Sequence, residues 1–233
     1  MDLSLVLQGL TRGPFEPMHL APLKFVTLKT VFLLALASGR RRGEIHALLA
    51  NVKRSDKWSE ISIYTDSSFV AKTQVAGRDA TGMKPLCLKA LSKDLSPDMV
   101  EDRSLCVVRA IRFYLDRTKD IRKDRKKLFI AFKKGYEQEI CKNTVSSWIK
   151  KAIVLAYQSS SEEQRQVQGV KAHDVRGLAS SLALMKNVTV DAILDACSWK
   201  SHTTFTRFYL RDLTQIQDRL LVLGPVISAL HKV

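Results

Sequence analysis

Two short segments of the chain hold residues whose types and spacing suit chemistry on a phosphate. In the segment 38–44, a tight bend is predicted to present Arg40, Arg41 and Arg42, and Arg41 and Glu44 form an R-x-x-E pattern. Far along the chain, His173 and Arg176 form an H-x-x-R pattern, which places both side chains on one face of a helix. Guanidinium groups stay protonated and can each bind two phosphate oxygens. Arginines from the two segments could therefore neutralise one phosphate together.

A third segment, SWKSHTTFTRFYLRDL, contains Trp199 and, ten residues later, Tyr209. A tyrosine phenol has an unperturbed pKa of about 10, and cations around a phosphate favour the nucleophilic phenolate. Taken singly, each segment has a plainer explanation. A triple-arginine run is commonly a solvated basic patch or an import signal, H-x-x-R arises often by chance, and Trp199 and Tyr209 could be core residues. Only the three segments together indicate an active site.

The order and spacing of these segments resemble the tyrosine recombinase (phage integrase) family, whose pattern is T/S-G-x-R-x-x-E, H-x-x-R, a His or Trp, and a nucleophilic Tyr. The resemblance covers residues 23–215. The phrases DLSLVLQGL, LKTVFLLALASGRRRGEIHAL, AHDVRGLASSLAL and SWKSHTTFTRFYLRDL are most similar to recombinases of DIRS-type retrotransposons. Gly177 stands where many members have a second His, as in the DIRS-type variant. The Trp199–Tyr209 spacing is one residue longer than usual, which leaves open whether His202 takes part of the role of Trp199.

The resemblance implies DNA strand cleavage and rejoining through a 3′-phosphotyrosine, with a mechanism similar to that of type IB topoisomerases. Tyr209 is then the nucleophile, and Arg41 and Arg176 hold the phosphate, whose non-bridging oxygens gather negative charge during the reaction. Trp199 is expected to pack at the site and to donate its indole N–H to the phosphate. Glu44 is expected to brace the arginine bend without reacting.

The departing 5′-oxygen needs a proton, which in the family comes from a lysine on a sheet hairpin. Lys72 in FVAKTQ matches that position and is favoured, while Lys84 lies across the same predicted hairpin as the alternative. His173 is implied to accept a proton or to orient another group. Because the phosphotyrosine conserves the energy of the broken bond, we expect no ATP, metal or other cofactor. The sequence has no G-x-x-x-x-G-K-[ST] loop and no His/Asp/Glu set at metal-ligand spacing.

The charge balance favours a polyanionic partner. The chain has 38 Lys and Arg against 23 Asp and Glu, a net charge of +15. Nucleic acid is the commonest partner of such a domain and an anionic membrane surface is second, while a basic protein kept soluble by its charge is the plain alternative. No RNP-like aromatic strand or G-x-x-G loop supports an RNA-binding domain. We expect double-stranded DNA as the partner, with no membrane span and no small-molecule substrate.

The four cysteines lie far apart, without a C-x-x-C pair or a histidine at zinc-ligand spacing. This spacing indicates reduced thiols. The N-terminus has an early Asp2 and no basic region typical of a signal peptide. We therefore expect an intracellular, reducing compartment. The resemblance to recombinases of eukaryotic mobile elements implies the nucleus.

Hydrophobic periodicity predicts a mainly α-helical domain with a small antiparallel sheet, an α+β class. Helices are predicted over 23–37, 43–49, 105–115, 144–157 and 173–185, with Asn143 as an N-cap. The alternation between Trp58 and Leu88, including 69–71, predicts the sheet, and 159–169 predicts a surface loop. Residues 1–21 are predicted to be a linker or a remnant of the N-terminal core-binding region, and 22–233 the catalytic domain.

The segment 213–233 is predicted to be a helix with an apolar end. By resemblance it docks onto a neighbouring protomer in a homotetramer on two duplexes, or in a dimer on one site, but it could equally fold back on its own core. The family's N-terminal core-binding domain is largely missing from the sequence, so we expect weak DNA binding. A catalytically inactive DNA-binding module derived from such a recombinase is the alternative function.

Overall fold

The computed structural model describes residues 1–71, 83–91, 103–132, 139–158, 169, 171–197, 199 and 201–203. Their elements, in chain order, are α1 (Leu3–Leu10), α2 (Leu23–Ser38), α3 (Arg42–His46), β1 (Leu48–Arg54), β2 (Glu60–Thr65), β3 (Leu86–Lys89), α4 (Val107–Arg122), α5 (Lys142–Gln158), α6 (Ala172–Met185) and α7 (Val190–Ala196). The predicted class, mainly helical with a small antiparallel sheet, is confirmed. Within the described ranges, no helix combines the length and the apolar character needed to cross a membrane.

Helix α2 lies at the centre of the hydrophobic core. Every residue from Val26 to Ser38 is buried, as expected for a helix that is apolar on all sides. Helices α4, α5 and α6 pack around it. The helix begins after Pro22, whose fixed φ suits a helix start, and it ends at Gly39, which has a left-handed φ of 55°. The segment carrying Arg41 thus leaves the end of the most buried helix of the domain.

The sheet has the order β1-β2-β3, and both strand pairs are antiparallel. Along the central strand β2, Ile61 and Ile63 are buried and alternate with more exposed residues. Leu88 lies opposite Ile61, and Leu86 lies opposite Ile63. One face of the sheet therefore covers the helical core, and the other face is open to a ligand or to solvent.

Strand β1 was missed by the sequence patterns. A helix predicted over 43–49 ends at His46 in the structure, and β1 begins at Leu48. Leu48 lies opposite Thr65 of β2, and the Leu48 carbonyl accepts a hydrogen bond from Leu128 N at 2.7 Å. This pairing with distant parts of the chain overrides the local helical pattern. The predicted strand 69–71 is also absent, since these described residues have no strand assignment.

The first 21 residues, predicted to be a linker or a core-binding remnant, contribute to the same core as the remainder of the domain. Helix α1 is capped by Asp2, whose carboxylate accepts from Ser4 N at 2.9 Å. The Tyr157 hydroxyl of α5 lies 2.6 Å from Asp2 N. The buried side chains of this segment are Leu3, Val6, Leu7, Leu10, Phe15, Met18 and Ala21. This surface is therefore not available to an external partner.

A buried charge cluster joins the N-terminal segment to the helices. Lys29 of α2 is completely buried, and its Nζ donates to Glu16 Oε1 at 2.6 Å and to the Leu10 carbonyl at 2.7 Å. Arg109 of α4 donates to both Glu16 oxygens, at 2.7 and 3.2 Å. Burial lowers the pKa of Lys29 to about 8, although Glu16 opposes the shift. Burial alone would raise the pKa of Glu16, but Arg109 and Lys29 lower it overall.

This cluster predicts a pH dependence of stability. The folded-state pKa of Lys29, about 8, lies below its ordinary value of 10.5, so between these pH values the unfolded chain binds more protons than the folded one. The free energy of unfolding should therefore rise with pH across that window, because deprotonation of Lys29 relieves the cost of burying its charge. Urea unfolding of the wild type and of Lys29→Met, from pH 7 to 10.5, measures the effect. A constant difference between the two proteins would contradict it.

Candidate active site

The turn after α2 holds Arg41 through Glu44. The Arg41 backbone N–H donates to Glu44 Oε2 at 2.8 Å, and its Nη1 donates to Oε1 at 3.1 Å. The first contact caps the start of α3, and the second fixes the guanidinium. The Glu44 side chain is 2% exposed and that of Arg41 is 24% exposed. Glu44 is therefore occupied with Arg41, whose guanidinium still reaches solvent.

The three arginines of this turn differ in their surroundings. The sequence predicts that the bend presents all three, but Arg40 is buried. Its Nη2 donates to the Lys84 carbonyl at 2.9 Å, and its Nη1 lies 3.5 Å from Thr65 Oγ1. Thr65 ends β2 and Lys84 precedes β3, so Arg40 ties together both ends of the connection between these strands. Arg42 is exposed, which leaves Arg41 and Arg42 as the accessible cations of the turn.

Arg176 lies on α6 and is held from two sides. Its Nη2 donates to the Cys197 carbonyl at 3.0 Å, just after the end of α7. The guanidinium stacks on the Trp199 indole, 4.6 Å from the ring centroid. Arg176 is 3% exposed and Trp199 is 6% exposed, whereas His173, one turn earlier on α6, is exposed. The second and third motif segments thus meet at the Arg176 guanidinium.

Cys197 is the residue at which the arginine turn and Arg176 come together. Its carbonyl binds Arg176, and a Cβ on Gly39 would overlap its sulphur. Burial raises the pKa of the Cys197 thiol to about 11, and the nearby charges that act on the thiol are those of Arg176, Glu44, Arg40 and Arg41. The thiol is therefore neutral and a poor nucleophile. No sequence signal marked Cys197, because its neighbours come from distant segments.

The remaining predicted site residues have other contacts or lie outside the described residues. Lys84 is 83% exposed and its Nζ forms an ion pair with Asp195 at 2.8 Å. His202 is exposed, and its Nε2 lies 2.9 Å from Asp191 Oδ1. Trp199 contacts Arg176. The predicted general acid Lys72, the nucleophile Tyr209 and the segment 213–233 lie outside the described residues.

A cleft of about 770 Å³ separates the open face of the sheet from α7. Its lining includes Lys53 and Arg54 of β1, the Lys84–Asp195 pair and Arg40. Lys53 and Arg54 are exposed, so the cleft presents basic groups beside the acidic Glu60 and Asp195. Over the parts of the chain that the structure describes, no three His, Cys, Asp or Glu side chains form a group that could hold a metal ion.

Comparison with known proteins leaves the family open. No protein-family model matches the chain, and no curated protein matches it significantly. The functional conclusion therefore depends on the residues and on their geometry.

Proposed function

We propose that this chain is a tyrosine-recombinase catalytic domain that cleaves and rejoins DNA strands through a phosphotyrosine on Tyr209. One observation carries the proposal: two arginine segments, distant in sequence and matching the family pattern, meet at Cys197. Chance matches to R-x-x-E and H-x-x-R would have no reason to lie together. Their meeting is what a two-arginine phosphate site requires.

In the proposed reaction, the Tyr209 phenolate oxygen bonds to phosphorus while the bond to the 5′-oxygen breaks. Arg41 and Arg176 neutralise the charge that develops on the non-bridging oxygens. The phosphate approaches from the side of Arg41, since that side chain is partly exposed and Arg176 is nearly enclosed. Attack by a 5′-hydroxyl on the phosphotyrosine reverses the step, which joins the strand and frees the phenol. Bond energy is conserved, so the scheme uses no nucleotide cofactor.

The other residues of the scheme have supporting roles. Glu44 holds Arg41, and Trp199 stacks on Arg176, so both arginines are fixed before a phosphate arrives. Lys72 protonates the departing 5′-oxygen. The Lys84 ammonium is engaged by Asp195, which favours Lys72 over Lys84 for this role. His173, on the exposed start of α6, accepts a proton or orients another group.

The proposed partner is double-stranded DNA, bound by a homotetramer on two duplexes, in the nucleus. The net charge of +15 supports a polyanionic partner. The exposed basic side chains of the cleft, Lys53 and Arg54, support contacts to backbone phosphates. The proposed context is site-specific recombination or integration of a mobile element.

A second candidate function is a DNA-binding module that no longer cuts. The same basic charge favours it, because electrostatic binding does not depend on the catalytic groups. It differs from the first candidate in one measurable property, since a module forms no covalent bond to DNA.

Trapping the covalent intermediate tests the proposal. The protein is incubated with a nicked duplex that carries the element's terminal sequence, so that the short 5′-hydroxyl product diffuses away and rejoining stops. We expect a denaturation-resistant protein–DNA adduct, and peptide mass spectrometry should locate the nucleotide on Tyr209. Salt-sensitive binding without an adduct would instead identify the binding module.

A further inference from the structure

Gly39, after the end of α2, and Cys197, after the end of α7, approach each other unusually closely. The contact between these two residues is called the joint below. Gly39 has a φ of 55°, and its N–H donates to the Ala35 carbonyl at 3.0 Å, which ends the helix. A Cβ at position 39 would overlap Cys197 Sγ but would lie 3.6 Å from Cys197 Cβ, an ordinary contact. The sulphur atom therefore occupies the space that any side chain at position 39 would need.

The two sides of this joint carry the two arginines of the proposed site. Arg41 follows Gly39 by two residues, and Arg176 binds the carbonyl of Cys197 itself. A shift of Cys197 relative to Gly39 would therefore move the support of Arg176 relative to Arg41. Both residues are enclosed by packed helices, so the joint has little freedom to adjust.

We infer that Cys197 is a positioning residue, whose sulphur fits against Gly39 and sets the relative placement of Arg41 and Arg176. The inference rests on the proposed function, since the reaction is what the placement serves. Cys197 does not react, and it acts through the two arginines. The contact is steric, so its consequences can be reversed by a second substitution.

A pair of substitutions and their combination test the joint. Gly39→Ala puts a methyl group into the sulphur and should slow adduct formation at saturating DNA by about 10²-fold, the effect of displacing a catalytic group by about 1 Å. Cys197→Ala removes the sulphur and should slow it by less than about tenfold, because the Cys197 carbonyl still holds Arg176. In the double variant, alanine at position 39 meets only the alanine Cβ, so the rate should recover at least about tenfold over Gly39→Ala.

The readouts separate positioning from a merely structural role. DNA affinity should change less than about threefold in all three variants, while the adduct rate follows the pattern above. Cys106→Ala removes another buried thiol, at the start of α4, and should match the wild type in rate. Recovery in the double variant is partial, since alanine retains the strain of the left-handed backbone at position 39. A double variant no faster than Gly39→Ala, or a Gly39→Ala protein as fast as the wild type, would overturn the inference.

The contact between Gly39 and Cys197 can also be tested if the protein does not cleave DNA. If the wild type forms no adduct on Tyr209, thermal unfolding replaces the adduct rate as the measurement. It is applied to the wild type, Gly39→Ala, Cys197→Ala and the double variant. Gly39→Ala should then lower Tm, and adding Cys197→Ala should restore part of the loss. If Gly39→Ala lowers Tm as much in the Cys197→Ala background as in the wild type, the two residues are not in steric contact, whatever the protein does with DNA.

Discussion

The Tyr209→Phe variant is expected to form no adduct on the nicked duplex, a loss limited only by the detection of the assay. The substitution removes one hydroxyl oxygen, and without it no phosphotyrosine can form. The aromatic ring is kept, so the substitution is conservative. DNA affinity, measured by fluorescence anisotropy at fixed salt, should stay within about twofold of the wild type, because the proposed phosphate contacts belong to Arg and Lys side chains.

Tyr64→Phe is the matched control for this experiment. Tyr64 lies on β2 with 42% of its surface exposed, so its hydroxyl can be removed without disturbing the core. Tyr114 and Tyr157 are unsuitable, since both are buried and hydrogen-bonded. Persistence of an adduct in Tyr209→Phe would assign the nucleophile to another residue and would remove the central step of the proposed mechanism.

Replacing Arg176 by lysine should slow adduct formation by about 10²–10³-fold while the protein stays folded. Lysine keeps the positive charge but loses the planar fork that binds two oxygens and stacks on an aromatic ring. In this protein it would lose the 4.6 Å stacking on Trp199 and the bond to the Cys197 carbonyl. Single-turnover rates at saturating DNA measure the effect, with circular dichroism to check the fold.

The same substitution at Arg112 provides the comparison. Arg112 is on α4, its side chain is 55% exposed, and its guanidinium lies 5.9 Å from the Trp58 ring centroid. Arg112→Lys therefore makes the same chemical change beside another tryptophan, away from the candidate site. It should leave the adduct rate within about twofold of the wild type. Equal rates for Arg176→Lys and wild type would exclude Arg176 from the phosphate site.

Helices α2 and α6 were predictable because their signals are local. Helix α2 was predicted over 23–37 and ends at Ser38, because Ser38-Gly39 is a local signal for the end of a helix. Helix α6 was predicted from His173 and begins at Ala172. The pairing of His173 and Arg176 on one helix face follows from the same periodicity.

The features that the sequence did not predict depend on distant partners. Strand β1 pairs with β2 and with the segment around Leu128, and the residues of β1 alone do not indicate either partner. Arg40 was expected at the surface, but the Lys84 carbonyl holds it inside. Cys197 has no pattern of its own, and its place is set by Gly39. Tertiary contacts of this kind override what a short window of sequence indicates.

The stacking of Arg176 on Trp199 also affects when conformational freedom is lost. A free arginine side chain samples many rotamers, and restricting them costs about 2 kcal/mol of entropy. Here the indole face and the Cys197 carbonyl restrict the guanidinium during folding. An anion that reaches it meets a rigid donor and orders no further torsions on binding. The entropy cost of ordering Arg176 is therefore part of the free energy of folding, and it does not weaken the binding of an anion to Arg176.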